Sequence, residues 1–135
     1  PFYYKKYEEI KKNIEISSSF KLIKQSLFDL TIFGSSSQYI ENFYDLLKEN
    51  KEILSKNILF THTPFSIKEN FKSSQFTGYK GIQNIRSINL LKEFFFNRDY
   101  EIVFKSVMNK NYASVEEKYL NKTIYANILF SKFNI

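Results

Sequence analysis

Hydrophobic and polar positions along the chain alternate between strand-like runs and helix-like spacings. The run Phe28–Phe33 is almost wholly apolar, which is typical of a strand that lies in a parallel sheet with helices on both faces. Gly34 ends this run, and Ser35–Ser37 follow it as candidate caps of a helix. The apolar positions of that helix are Tyr39, Ile40, Phe43, Leu46 and Leu47.

A second short apolar run, Asn57–Phe60, continues as Thr61-His62-Thr63-Pro64. Pro64 is predicted to end this strand, because proline has no amide proton for a ladder hydrogen bond. The polar stretch Ser66–Arg86 contains two of the three glycines and predicts an irregular loop. A loop of that length in a compact domain is usually functional.

The last third of the chain predicts a helix followed by two strands. The apolar positions Ile88, Leu91 and Phe95 have helical spacing. The segments Tyr100–Met108 and Thr123–Phe133 predict an antiparallel pair of strands. One face of the second strand carries Ile124, Ala126, Ile128 and Phe130. Near the beginning of the chain, a further amphipathic helix is predicted by Tyr3, Tyr7, Ile10 and Ile14. Strands that alternate with helices indicate an α/β fold with a mainly parallel sheet.

Composition limits the class of protein. The chain has 135 residues, of which 43% are hydrophobic, including 15 Phe and 10 Tyr, so it is long enough for one domain with a substantial core. Cysteine is absent, which excludes disulfides, a thiol nucleophile and cysteine-based zinc sites. No apolar stretch approaches the roughly 18 residues needed to span a membrane, and no signal peptide is visible. We therefore expect a cytoplasmic protein.

The net charge of +6 is carried almost entirely by lysine, since the chain has only two arginines, Arg86 and Arg98. Surfaces that recognise bases favour the planar guanidinium group. The abundance of Lys, Ile, Phe, Asn and Tyr is typical of an AT-rich genome, which further reduces the weight of the charge. Nucleic-acid binding is therefore the less favoured interpretation. A basic RNA-binding subunit of a ribonucleoprotein, such as an organellar ribosomal protein, and a non-catalytic interaction domain remain as alternatives.

Polar residues follow the first two predicted strands at the point where each strand ends. Ligands of open α/β sheets bind beyond these carboxyl ends, where the chain has Gly34-Ser35-Ser36-Ser37 and Thr61-His62-Thr63. Gly34 is expected to turn the chain and to let the backbone approach a ligand. The simpler alternative is that Gly34 only makes a turn and the serines only cap a helix.

The stretch FDLTIFGSSSQYIENF, residues 28–43, resembles the fourth-strand region of class I, Rossmann-like S-adenosylmethionine-dependent methyltransferases. It is most similar to a family associated with surface-polysaccharide gene neighbourhoods, in which a serine-rich segment with Gln-Tyr-Ile precedes a helix. The resemblance extends over residues 26–133. Its further matches are Thr63-Pro64-Phe65, Gln83-Asn84, Leu91–Phe95 and Tyr100–Val103.

This resemblance implies a partial methyltransferase sheet built from the C-terminal strands of the fold, with the last strand antiparallel and helices flanking it. The glycine-rich loop that holds the cofactor in this class has no counterpart in the sequence. The resemblance therefore implies that residues 1–135 are the C-terminal portion of one methyltransferase domain, without its N-terminal cofactor-binding half and inactive alone. The implied cofactor is S-adenosylmethionine, and the implied partner is a small-molecule or saccharide acceptor.

The resemblance also implies roles for individual residues. The candidates for cofactor binding are Gly34, Ser35, Ser36, Gln38 and Tyr39. The candidates for acceptor binding are Thr63, Gln83, Asn84 and Arg86. His62 is the only imidazole of the chain and the candidate catalytic base, although the family more often has arginine at that position. No metal-ligand spacing is present.

Overall fold

The computed structural model describes residues 28–75, 81–108 and 115–133, and the helix predicted around Tyr3–Ile14 lies outside these ranges. The described residues form six strands and two α-helices. The strands are β1 Leu30–Gly34, β2 Asn57–Ser66, β3 Phe71–Ser74, β4 Ile82–Ser87, β5 Tyr100–Val107 and β6 Thr123–Lys132. The helices are α1 Phe43–Glu49 and α2 Ile88–Phe96.

The strands form one mixed sheet in the order β3-β4-β2-β6-β5, with β1 paired to β2. β1 and β4 share one edge of β2: β1 is parallel to residues 57–61, and β4 is parallel to Phe65 and Ser66. β6 lies along the other edge of β2 and is antiparallel to both β2 and β5. The prediction of an α/β fold with an antiparallel last strand is therefore confirmed. The prediction of a mainly parallel sheet is wrong for the described residues, because β3–β4, β2–β6 and β5–β6 are antiparallel pairs.

The two helices pack against one face of the sheet and bury a core of aromatic and aliphatic side chains. Phe60 of β2 lies at its centre and is fully buried. Five other rings have centroids between 5.2 and 6.0 Å from the Phe60 ring, and they belong to Phe33, Phe43, Phe65, Phe95 and Phe130. Aromatic contacts at these distances stabilise a core beyond the burial of their area.

The opposite face of the sheet carries a row of apolar residues that are direct cross-strand neighbours. Ile32 pairs with Leu59, Leu59 pairs with Leu129, and Leu129 pairs with Phe104. Ile32 is 57% exposed and Phe104 is 51% exposed. Within the described residues, helices cover only the other face, whereas the sequence predicts cover on both.

β2 continues past the proline that was predicted to end it. Pro64 lies within β2 and pairs with Tyr125 of β6. On the other edge of β2, the last partner of β1 is Thr61 and the first partner of β4 is Phe65. Pro64 falls between these neighbours, so the strand tolerates a residue without an amide proton.

The stretch predicted as an irregular loop is largely a hairpin of β3 and β4, which are antiparallel. Its inward positions include the polar residues Ser73 and Gln83, which are 2% and 0% exposed. Because buried positions of a hairpin are usually apolar, this polar pattern concealed the strands in the sequence.

Candidate functional site

The carboxyl ends of β1 and β2 are joined by two hydrogen bonds that start from one serine. The amide of Ser35 donates to the carbonyl oxygen of Thr61 at 2.9 Å, and its hydroxyl donates to the carbonyl oxygen of His62 at 3.0 Å. Ser35, a predicted cofactor-binding residue, thus lies beside His62, the predicted catalytic base. This arrangement matches the place where open α/β sheets bind ligands.

Two residues at this junction have left-handed backbones. Ser35 has φ of 50° and His62 has φ of 49°, values that are uncommon for residues other than glycine. His62 lies at a bulge, because the pairing of β2 with β6 shifts register between Phe60 and Thr63. Strained backbone of this kind is concentrated at functional sites in proteins.

The sequence suggested that Gly34 turns the chain out of β1. In the structure, Ser35 makes this turn. Gly34 is the last residue of β1, and no positive φ is recorded for it. An added Cβ would meet Thr61 Oγ1 at 3.6 Å, which is ordinary contact. Gly34 is exposed, and its position has no conformational need for glycine.

The serines do not cap a continuous helix. A short 3₁₀-helix spans Ser37–Tyr39, α1 begins only at Phe43, and neither has a side-chain cap hydrogen bond. The guanidinium group of Arg86 binds in the break: Nη1 donates to the carbonyl oxygen of Ser37 at 2.8 Å, and Nη2 donates to that of Ile40. The arginine thus satisfies backbone acceptors that a continuous helix would have used itself.

Arg86 is 7% exposed, and its guanidinium carbon lies 4.7 Å from the centre of the Phe43 ring. Burial lowers the pKa of Arg86 to about 10, since the charged form loses hydration. Among the described residues, the ion pairs do not include Arg86. The charge is therefore held by carbonyl dipoles and an aromatic face.

The β3–β4 hairpin is tied to the predicted cofactor segment by two more hydrogen bonds. Asn84 Nδ2 donates to the carbonyl oxygen of Gln38 at 3.2 Å, and the Tyr39 hydroxyl donates to Gln75 Oε1 at 3.1 Å. The structure thus brings Asn84 and Arg86, which the sequence assigns to the acceptor, next to the segment assigned to the cofactor.

The remaining predicted residues differ in exposure. Ser36 is exposed, Tyr39 is 49% exposed, and Gln38 is 3% exposed with its side-chain oxygen unpaired among the described residues. Thr63 is 2% exposed and donates to the carbonyl oxygen of Thr61 at 3.1 Å. Gln83 is fully buried.

His62 is exposed at the bulge of β2. Its amide donates to Asn127 Oδ1 at 2.9 Å, and Asn127 Nδ2 donates to the hydroxyl of Ser106 at 3.1 Å. The backbone of His62 is thus fixed from both sides, by Ser35 and by β6, while its imidazole faces solvent.

An apolar cavity of about 440 Å³ lies along β1 beside this junction. Among its described lining residues, Thr31 and Ser36 carry hydroxyl groups. Its other lining residues are Phe28, Leu30, Ile32, Phe33, Ile40 and Ile53. An apolar cleft with a few polar groups is typical of small-molecule sites.

A smaller cavity of about 290 Å³ lies between α1 and the hairpin. Its lining residues are Glu41, Tyr44, Asn70, Phe71, Lys72, Asn84 and Arg86. Sequence reasoning missed Tyr44, Asn70 and Lys72, because the hairpin that places two of them was predicted as a loop. The Tyr44 hydroxyl is buried without a partner among the described residues, and burial raises its pKa.

Within the described ranges, no helix is long and apolar enough to cross a membrane. The same residues contain no group of three His, Cys, Asp or Glu side chains placed to hold a metal ion.

No protein-family model and no curated protein matches the sequence. Solved structures do match the fold. One is the 1,6-didemethyltoxoflavin-N1-methyltransferase of Burkholderia thailandensis, crystallised with 1,6-didemethyltoxoflavin and S-adenosylhomocysteine (TM-score 0.55, 11% identity, 85% of this chain and 48% of that chain). Another is an S-adenosylmethionine-dependent methyltransferase from Mesorhizobium loti (TM-score 0.52, 9% identity, 90% of this chain and 73% of that chain).

The chain spans about half the length of the first of these structures. At such identities the similarity concerns the fold. The chain therefore has the α/β fold found in these methyltransferases.

Proposed function

We propose that the chain is the C-terminal portion of a methyltransferase domain that transfers a methyl group from S-adenosylmethionine to a small-molecule or saccharide acceptor. The observation that carries the proposal is the junction of Ser35 with Thr61 and His62 at the carboxyl ends of β1 and β2. Fold similarity to two methyltransferase structures supports it. The resemblance of residues 28–43 to a family from surface-polysaccharide gene neighbourhoods supports the saccharide class.

The cavity along β1 fits the apolar part of the cofactor. Its aromatic and aliphatic walls suit a flat adenine ring, and the Ser36 hydroxyl offers a hydrogen bond at its edge. Gly34, Ser35, Gln38 and Tyr39 complete the proposed cofactor side. Among the described residues, no carboxylate lines this cavity, so acidic groups that bind the ribose hydroxyls would come from elsewhere in the domain.

The free edge of β1 supports the assignment to a larger domain. Among the described residues β1 pairs only with β2, and Leu30 and Ile32 are 44% and 57% exposed. A buried position in a parallel sheet requires a neighbour on each edge and helices on both faces. We assign that neighbour to the N-terminal half of the same domain.

Bound S-adenosylmethionine would supply a methyl group attached to a positively charged sulfur. That methyl group would be available to an oxygen or nitrogen of the acceptor, with S-adenosylhomocysteine as the leaving group that keeps the electron pair of the broken carbon–sulfur bond. The His62 imidazole takes the proton of the acceptor. The proposed acceptor side consists of Thr63, Gln83, Asn84 and Arg86, which would hold the nucleophile in line with the methyl group.

Calorimetric titration of S-adenosylmethionine tests the proposal in this chain and in the complete product of its gene. We expect micromolar binding to the complete product and at least about 100-fold weaker binding to the chain alone, because only the complete product has both halves of the site. A folded complete product that does not bind S-adenosylmethionine would contradict the proposal.

Gly34→Val in the complete product locates the cofactor, and Gly81→Val is its matched control. Added Cβ atoms at these positions would meet their nearest atoms at 3.6 and 3.7 Å, so both variants have similar room. We expect Gly34→Val to weaken binding at least about tenfold, because its side chain fills space at the end of β1. Equal affinities of the two variants for S-adenosylmethionine would show that the cofactor does not bind beside Gly34.

A further inference from the structure

Arg86 is a buried guanidinium group without a carboxylate partner among the described residues. A buried guanidinium group is usually paired with a carboxylate, because removing a charge from water is costly. Arg86 has five N–H donors, and its recorded hydrogen bonds go to the carbonyl oxygens of Ser37 and Ile40. Within the described part of the chain, no carboxylate forms an ion pair with it.

The cavity between α1 and the hairpin opens beside this charge. Lys72 of β3 lines the cavity, and its ammonium is paired at 2.7 Å with Glu41, which lines the cavity from the segment before α1. Both side chains are well exposed, at 60% for Lys72 and 72% for Glu41. The charged residues among the described lining are Arg86, Lys72 and Glu41, so this part of the lining carries more positive than negative charge.

Neutral donors surround the same cavity. The Asn70 and Asn84 amides line it, and the oxygen of Asn70 is already occupied by the amide of Ser87 at 2.7 Å. Tyr44 also lines it, with a buried hydroxyl that has no partner among the described residues. Arginine combined with amide and hydroxyl donors is a typical arrangement for a carboxylate or phosphate group.

The geometry points to an anion-binding subsite in this cavity, with Arg86 as its anchor and Lys72, Asn70, Asn84 and Tyr44 as its walls. Its ligand class is a carboxylate or phosphate group carried by the methyl acceptor. This reading of the acceptor rests on the proposed function, since Arg86 and Asn84 also contact the segment that begins at the proposed cofactor site. The acceptor is therefore an anionic small molecule, such as an acidic or phosphorylated sugar.

The exposed ion pair provides a test with two variants that should act in opposite directions. Lys72→Gln removes a positive charge and leaves the Glu41 carboxylate to repel an anion. Glu41→Gln removes the repelling charge and leaves Lys72 available to the anion. Both variants lose the same ion pair, so loss of that contact cannot account for opposite effects, and exposed ion pairs contribute little to stability.

Inorganic phosphate and acetate are titrated separately into the full chain and both variants, at constant ionic strength set with chloride. Binding is followed by amide chemical shifts, with circular dichroism confirming that each variant is folded. We expect Lys72→Gln to weaken binding about five- to tenfold and Glu41→Gln to strengthen it about two- to fivefold, as for one charge at a partly exposed site. A stronger effect on phosphate or on acetate identifies which of the two groups the acceptor carries.

The result separates this inference from the proposed function. If S-adenosylmethionine binds the complete product but phosphate and acetate do not bind the cavity, or the two variants behave alike, the anion subsite is wrong and the methyltransferase proposal stands. If the anions bind with the opposite effects described but S-adenosylmethionine does not bind, the subsite is correct and its role for a methyl acceptor is overturned.

Discussion

Ser35 and His62 hold each other in left-handed backbone conformations at the ends of adjacent parallel strands. The hydroxyl of Ser35 donates to the carbonyl oxygen of His62 at 3.0 Å, and the φ angles are 50° and 49°. Each conformation is costly for a residue with a side chain, by about 1–2 kcal/mol. The pair therefore stores strain beside the proposed cofactor site.

Substitutions of Ser35 separate its hydrogen bond from its backbone. Ser35→Ala keeps the unfavourable φ and loses the hydrogen bond, so we expect a loss of about 1 kcal/mol in the free energy of unfolding. Ser35→Gly loses the same bond but relieves the backbone, so its stability should stay within about 0.5 kcal/mol of the original. Urea unfolding measures both, and equal losses would show that the backbone of Ser35 is not strained.

His62→Asn tests the proposed base in the complete product. Asparagine tolerates the left-handed conformation but cannot accept the acceptor's proton as imidazole does. We expect the rate of methyl transfer to fall at least about 100-fold near neutral pH, with unchanged affinity for S-adenosylmethionine. A rate within threefold of the original, a margin of about 0.7 kcal/mol in the barrier, would remove His62 from the chemistry.

Phe60 is expected to dominate the stability of the core. Phe60→Ala should lower the free energy of unfolding by about 3–5 kcal/mol, because five neighbouring rings cannot all close the cavity it leaves. The control is Phe96→Ala on α2, where the side chain is 65% exposed and the loss should stay under about 1 kcal/mol. Similar losses for both variants, measured by chemical unfolding, would contradict the position of Phe60 at the core centre.

The buried hydroxyl of Tyr100 is expected to lower the free energy of unfolding at alkaline pH. Its hydroxyl donates to the carbonyl oxygens of Leu54 at 3.2 Å and Ser55 at 2.6 Å, and burial raises its pKa to about 12. An exposed tyrosine in the unfolded chain titrates near about 10. Because the folded state holds the proton more tightly, stability that is fully present below pH about 10 is lost as the pH rises to about 12.

The Tyr100→Phe variant isolates this effect. Arg86, whose pKa of about 10 in the folded chain changes stability in the opposite direction over the same range, is present in both proteins and cancels from their difference. We expect the stability difference between original and variant to shrink between pH 9 and 12. Parallel pH curves would show that the Tyr100 hydroxyl is not protected by burial.

The exposed apolar side chain of Ile32 predicts self-association of the chain in isolation. Ile32 is 57% exposed, and among the described residues its strand β1 pairs only with β2. Unpaired apolar edges promote pairing with other chains. Ile32→Lys should shift the chain toward monomer in sedimentation velocity. The control is Ile82→Lys on β4, where the side chain is 64% exposed but β4 pairs with β3 from Ile82 to Ile85 and with β2 at Arg86 and Ser87. A sharp monomer peak from the original chain would contradict this prediction.

Elements whose burial follows a simple local period could be predicted from the sequence. The ends of β5 and β6 lie within one residue of their predicted ends. The apolar residues predicted to have helical spacing, Ile88, Leu91 and Phe95, all lie in α2. Ala126, Ile128 and Phe130 face the core as predicted. Their periodicity is visible locally, because each element buries one regular face of its own. The order of strands and helices then indicated the α/β class.

Other features depended on contacts between distant segments. The sequence placed Asn84 and Arg86 in a loop, whereas the structure joins Arg86 to Ser37, 49 residues earlier, and Asn84 to Gln38, 46 residues earlier. The break before α1 follows from the same contacts, because Arg86 occupies the carbonyl oxygens there. No local pattern encodes a donor that arrives from so far along the chain.

The sequence by itself determined the fold class, the polar residues at the carboxyl ends of β1 and β2, and the apolar core. The tertiary structure decided that Ser35 rather than Gly34 makes the turn, that β2 continues through Pro64, and that the polar stretch after it forms a hairpin. The physical reason is that the spacing of apolar residues within one segment indicates which of its faces is buried. Backbone strain and the burial of Arg86 against distant backbone carbonyl oxygens arise only when separate segments meet.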